Sequence, residues 1–160
     1  MKKTGILVLI LALLAACIPD SPDILAPVEN ALMENIGQTS FGGKVFCSYD
    51  VLGSEARSDG MDVYVWALCG EYYLDNGVLT MGTASSMPVA IHMQKASRVY
   101  EVVSCKIPSD GMDYMPSIQR IFPPASIQKM CHENPDCYNE RAQRLQNASE
   151  QKAREYYGLK

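Results

Sequence analysis

The sequence predicts an α+β domain: an N-terminal helix packed across a four-stranded antiparallel meander, followed by a polar C-terminal helix. Three observations carry this reading. Four apolar stretches between residues 44 and 107 follow strand periodicity. The pairs Asp59-Gly60, Asn76-Gly77 and Asp110-Gly111 lie between or after these stretches, where such residues favour tight turns. Residues 27–36 place Val28, Ala31, Leu32 and Ile36 at helical spacing. A lone amphipathic helix needs a surface to cover, and a one-sided sheet supplies it.

Taking the elements in order, Pro27 suits a first helical position and Gly37 a C-terminal stop. In residues 44–52, Val45, Cys47, Tyr49 and Val51 alternate with Phe46, Ser48 and Asp50. In residues 61–73, Val63, Val65, Ala67 and Cys69 form one row and Tyr64, Trp66 and Leu68 the other. A strand apolar on both sides belongs in the middle of a sheet covered twice. Residues 78–93 read as a third strand, with Pro88 at a bulge or an edge. Residues 99–107 form the fourth, with Val99, Val103, Cys105 and Ile107 on one face and Glu101 interrupting it. Short helical turns are expected over 116–121, ended by Pro123-Pro124, and over 125–132. Asn134-Pro135-Asp136 is a strong helix start: a capping amide, proline at the first position and an acid at the positive end. That helix should run from Pro135 to about Tyr157 and stop at Gly158. Its large apolar residues are Tyr138, Leu145, Tyr156 and Tyr157, so it is expected to dock weakly or stand away from the domain. The element order is similar to the cystatin-like or nuclear-transport-factor-like layout, a likeness that carries no function by itself.

The start of the chain determines where it is expected to act. Lys2 and Lys3 precede an apolar run from Ile6 to Ala16, and Leu14-Ala15-Ala16-Cys17 ends it. This is an export signal too short to span a bilayer permanently. The motif resembles the lipobox of bacterial lipoproteins. The resemblance implies that residues 1–16 are removed and that Cys17 carries a diacylglycerol anchor and usually an amine-linked acyl chain such as palmitate. Residues 17–26, with Pro19 and Pro22, then read as a tether, 27–130 as the α+β domain and 131–160 as a polar helical tail. Ile18 is not Asp, so the outer membrane is the expected destination in a cell that has one, and otherwise the outer face of the cytoplasmic membrane. Residues 44–123 also resemble uncharacterised exported bacterial domains. That likeness rests on Val65-Trp66-Ala67-Leu68-Cys69, Glu71-Tyr72-Tyr73, Ser86-Met87-Pro88-Val89, Pro108-Ser109-Asp110-Gly111 with Tyr114, and Ile121-Phe122-Pro123. It implies no activity.

Loss of Lys2 and Lys3 with the signal takes the net charge from −4 to −6, which argues against nucleic acid as a partner. Beyond Cys17 five cysteines remain, and outside the cytoplasm most should pair. A five-residue loop over 56–60, with Glu55 opposite Met61, sets Val51 against Val65, Tyr49 against Ala67 and Cys47 against Cys69. A two-residue Asp59-Gly60 turn would instead put Asp50 in the apolar column. Directly opposed residues lie within disulfide reach. The expected bonds are therefore Cys47–Cys69 and Cys131–Cys137, the second flanking the Asn134-Pro135 turn, with Cys105 a buried free thiol.

Catalytic motifs are sparse. His92 and His132 are the imidazoles available as bases, and His92 reads first as a half-buried strand position. Ser85-Ser86 lacks a nucleophile elbow. Asp59, Asp110 and Asp113 sit by glycines as turn residues do, without the alternating oxygen ligands that calcium needs, and Cys131-His132 with Cys137 lacks zinc spacing. Tyr64, Trp66, Tyr72 and Tyr73 read as core before they read as a binding face. No catalytic residue, metal or cofactor is therefore expected. The favoured function is a non-enzymatic binding or accessory module at the membrane surface, with an envelope protein or a small ligand as partner. The alternatives are an extracytoplasmic enzyme using His92, or an envelope structural lipoprotein. In the latter, terminal Lys160 resembles the peptidoglycan-linked lysine of the murein lipoprotein, although the tail lacks that family's heptads.

Overall fold

A computed structural model describes residues 24–97, 99–131 and 134–159. The signal, Cys17, most of the tether, His132 and Lys160 lie outside the described residues. Helix α1 (Leu25–Ile36) leads into strands β1 (Lys44–Ala56), β2 (Gly60–Asp75), β3 (Val78–Ala96) and β4 (Val99–Lys106). A 3₁₀ turn (Gly111–Asp113) then precedes helices α2 (Tyr114–Ile121), α3 (Pro124–Gln128) and α4 (Pro135–Tyr156). The strands form one antiparallel sheet in the order β1-β2-β3-β4, the meander expected from the turn chemistry. Asn76 and Gly77 both take positive φ and close β2–β3 in two residues, as the mirror-image hairpin turn requires. Strand β4 pairs only with residues 90–96 of β3, which leaves Pro88 on a locally free edge where its missing N–H is harmless.

On the first face, Val28, Leu32 and Ile36 of α1 pack against Cys47, Val63, Val65, Ala67, Cys69, Val89, Ile91 and Met93. Full burial of one such aliphatic side chain contributes about 1.5–3 kcal/mol. The helix starts at Leu25, so Pro27 is its third residue and not its first. Its missing N–H still falls in the first turn, where no intrahelical partner exists. Gly37 follows the helix in an extended conformation, and a Cβ there would collide with the Met33 carbonyl.

The β2 row Val63-Val65-Ala67-Cys69 ends in a fully buried acid, Glu71. Its carboxylate accepts from the backbone N–H of Ser40 (2.8 Å), Phe41 (2.9 Å) and Gly43 (2.8 Å) and from the Thr83 hydroxyl (3.0 Å). Burial pushes this carboxyl up, but the Ser40, Gly43 and Phe41 amides and Thr83 outweigh it and hold it at about 2. The acid thereby ties the α1–β1 loop to the sheet.

The second face is covered by the C-terminal helices. Leu52, Tyr64, Trp66, Leu68 and Ala90 pack under Ile118, Phe122, Met130 and Leu145, and Phe46 and Tyr72 under Ala153. Strand β2 is thus covered on both sides, and Tyr64, Trp66 and Tyr72 are core residues. The expectation that α4 docks weakly or projects is overturned. Small residues Ser149 and Ala153 let the helix approach, and its polar groups find specific partners. Ser48 donates to the Leu145 carbonyl (2.5 Å), Tyr72 and Ser149 share a hydrogen bond (2.8 Å), and Tyr157 donates to the Tyr72 carbonyl (2.9 Å). Buried Arg141 donates to Asp50 (3.1 Å) and to the carbonyls of Met130 (3.1 Å) and Lys129 (2.5 Å). Arg144 reaches Asp50 as well, and Lys152 reaches Glu29 of α1 (2.6 Å). Sequence hydropathy counts large apolar side chains and misses this kind of docking.

Cys47 pairs with Cys69 and Cys131 with Cys137. The facing pairs Val51/Val65, Tyr49/Ala67 and Cys47/Cys69 are those the five-residue loop implied. Beyond Val51 a bulge at Leu52 shifts the register, so that Ala56 and not Glu55 faces Met61. The bulge turns Leu52 into the second core, which explains it physically. Cys105 is unpaired and half-buried against the first face, less enclosed than expected, with burial pushing its thiol pKa up. Asn134 caps α4, accepting from the N–H of Asp136 (3.1 Å) and Cys137 (3.2 Å). Among the described residues no helix is long and apolar enough to cross a membrane, and the two disulfides are compatible with a location outside the cytoplasm.

Candidate functional site

At the end of the sheet away from the Asn76-Gly77 turn, residues of β2, β3 and β4 line a cleft with α2. The register sets Asp62 opposite His92 and His92 opposite Ser104, a polar row across three strands. A bulge in β4 after this row, between His92 and Met93, interrupts the pairing. The β1–β2 loop folds over the row's edge. Arg57 N–H donates to the Gly60 carbonyl (2.9 Å) and Lys95 N–H to the Asp59 carbonyl (3.0 Å). A side chain at position 60 would collide with the Met93 carbonyl, so glycine permits this closure.

His92 Nδ1 lies 2.7 Å from Asp62 Oδ1, and Nε2 lies 3.7 Å from Asp59 Oδ2. A carboxylate only accepts, so Nδ1 carries the proton and Nε2 is left towards Asp59. The other oxygen of Asp62 accepts from Arg57 Nε (2.7 Å), and Arg57 also contacts Glu55 (3.2 Å). Burial raises the Asp62 carboxyl, but hydrogen bonds from His92 and Arg57 outweigh it and hold the group below its ordinary value. Tyr64 donates to Glu55 (2.9 Å), and burial together with that carboxylate pushes its phenol up to about 12. The resulting chain, Tyr64–Glu55–Arg57–Asp62–His92, is a continuous hydrogen-bonded network at the cleft. Ser104, Lys106, Arg120 and Ile121 complete the wall around a volume of about 400 Å³.

An imidazole oriented by a carboxylate is half of a proton-transfer device. The other half, a nucleophile on Nε2, is not assembled: among the described residues no hydroxyl or thiol hydrogen-bonds His92, although Ser104 faces it across the strands. Of the residues singled out in the sequence, His92 and Asp59 meet here. Cys47, Cys69 and Cys105 lie on the opposite face, and Cys131 and Cys137 at the start of α4. Asp110 precedes the 3₁₀ turn and Asp113 is its last residue, both apart from the cleft lining.

Arg57, Asp62, Lys106 and Arg120 carry no motif and were missed by sequence reasoning. For Asp62 the reason is a further bulge, in β3. A strict pairing continued from the two-residue turn would face Asp62 with Ile91. An extra β3 residue opposite Glu71, between the pairs Gly70/Ala84 and Tyr72/Met81, moves the register by one and brings His92 to Asp62. No family model, no curated protein and no solved structure matches the chain.

Proposed function

We propose that this chain is a bacterial lipoprotein, anchored through Cys17, whose domain is a ligand-binding module on the extracytoplasmic side of the membrane. The lipobox-like Leu14-Ala15-Ala16-Cys17 supports the anchor, and the two disulfides agree with an oxidising compartment. The observation that carries the binding role is the cleft itself, concave, lined by convergent polar groups, and of a size that suits a small molecule. The test of the anchor is Cys17→Ser in cells fed labelled fatty acid. The variant should remain an uncleaved, unlabelled precursor, and normal processing would remove the lipoprotein reading.

A second reading, an extracytoplasmic enzyme, is favoured by one contact: the Asp62–His92 hydrogen bond inside a cleft. It predicts that His92→Gln abolishes a turnover that the wild type shows against ester or phosphoester substrates. Absence of turnover in the wild type leaves the binding role in place.

A further inference from the structure

We propose that the cleft takes a small molecule through an oxyanion, a phosphoryl or carboxylate group, held by Lys106 and Arg120. Four observations converge. First, the cleft's one acidic lining residue is already satisfied. Asp62 accepts from His92 on one oxygen and from Arg57 on the other, so each oxygen is engaged within the protein and its charge is matched by Arg57. Second, Lys106 at the end of β4 and Arg120 in the last turn of α2 reach the cleft from different elements, and neither has an ion-pair partner among the described residues. Third, Arg57 is matched by Asp62 and Glu55, and Asp59 stands 3.7 Å from His92, so Lys106 and Arg120 are the lining cations left to attract an anion in a chain whose net charge is −4. Two such cations converging on one cleft concentrate anions at one place on an acidic surface. Fourth, an ammonium and a guanidinium can only donate, and the Ser104 hydroxyl can donate beside them. A ligand that satisfies them must bring acceptor oxygens, and a guanidinium prefers them paired on one centre. A neutral or cationic ligand would leave both cations facing it unpaired. The cleft's volume suits a small molecule and not a folded partner.

This inference rests on the binding-module reading, and its test separates the two. The full chain, purified in detergent, is titrated calorimetrically with phenyl phosphate, benzoate and benzamidine, three probes that share a ring and differ in charge. Either anion or both should bind and benzamidine should not; the better anion names the oxyanion. Arg120→Gln and Lys106→Gln should each weaken anion binding by about tenfold, as loss of one charge-assisted hydrogen bond does. Lys95→Gln, an exposed cation on the β3–β4 hairpin, should leave it within about twofold. A second readout needs no cleft variant. In a His132→Gln background the one remaining imidazole, His92, should shift in the NMR spectrum as the anion is added. Binding of benzamidine as tight as benzoate, equal loss in Lys95→Gln, or no anion binding at millimolar concentration would overturn the proposal. If fatty-acid labelling and membrane recovery persist in that last case, only the ligand class fails and the anchored module stands.

Discussion

The two faces of the sheet are closed by opposite means. Beneath α1 the seam is aliphatic: Val28, Leu32 and Ile36 meet rows of Val, Ile, Met and the Cys47–Cys69 bond, and the one buried charge, Glu71, sits at its end. Beneath α4 the seam mixes aromatic rings with hydroxyls and ions, from the Tyr72–Ser149 hydrogen bond to Arg141 beside Trp66. The first face is held by area removed from water, which is tolerant of exact geometry. The second adds, to its own buried cluster of Leu52, Trp66, Ile118 and Phe122, groups that contribute little each when paired and cost more when one partner is missing. Both faces thus supply stability through burial, and the polar groups of the second also determine where α4 sits. Since α2 to α4 wall the side of the sheet that bears Asp62 and His92, that placement also shapes the cleft.

The comparison can be broken by substitutions, taken from the largest expected effect down. Leu32→Ala should cost about 3 kcal/mol, because a fully buried leucine leaves a cavity, and urea unfolding reads it directly. Replacing Cys47 and Cys69 together by Ala should cost about 3 kcal/mol, against about 2 kcal/mol for Cys131 and Cys137, because the first bond closes the longer loop. The closed segments span 22 and 6 residues respectively. A larger loss from the second pair would mean that the start of α4 matters more than loop closure. Arg141→Met should cost about 2 kcal/mol, since it strands the Met130 and Lys129 carbonyls and one side of Asp50. Should it cost more than Leu32→Ala in the same urea series, the division of labour between the faces is wrong.

The last prediction is read in a slope. The Glu71 carboxyl is held at about 2 in the folded protein, below its ordinary value of 4.5. Between these values the unfolded chain binds a proton that the folded one does not, so stability rises with pH there. The contribution is complete above about pH 4.5 and is lost as pH falls towards 2. Glu71→Gln should flatten this part of the profile and lower the urea midpoint at neutral pH. An unchanged slope between pH 2 and 4.5 would show that the Ser40–Gly43 amides do not hold a charged carboxylate.

What the sequence determined by itself is what depends on near neighbours. Alternation at Val63, Val65, Ala67 and Cys69 defines a strand, Asn76-Gly77 defines its turn, and Asn134-Pro135-Asp136 defines the start of α4, because period, positive φ and capping are properties of a few consecutive residues. The Cys47–Cys69 register was legible as well, because the alternative pairing sets Asp50 in the apolar column. Three things were decided only in three dimensions. Leu52 bulges because a second core waits for it, and α4 docks because Ser48, Asp50 and Tyr72 stand where its polar groups arrive. The extra β3 residue opposite Glu71, whose acid Thr83 helps to hold, moves the register by one and sets His92 against Asp62. Each is a contact between residues far apart in the chain, and no local pattern encodes which distant group will stand there. The candidate site therefore depends on a bulge at the other end of the same strand pair.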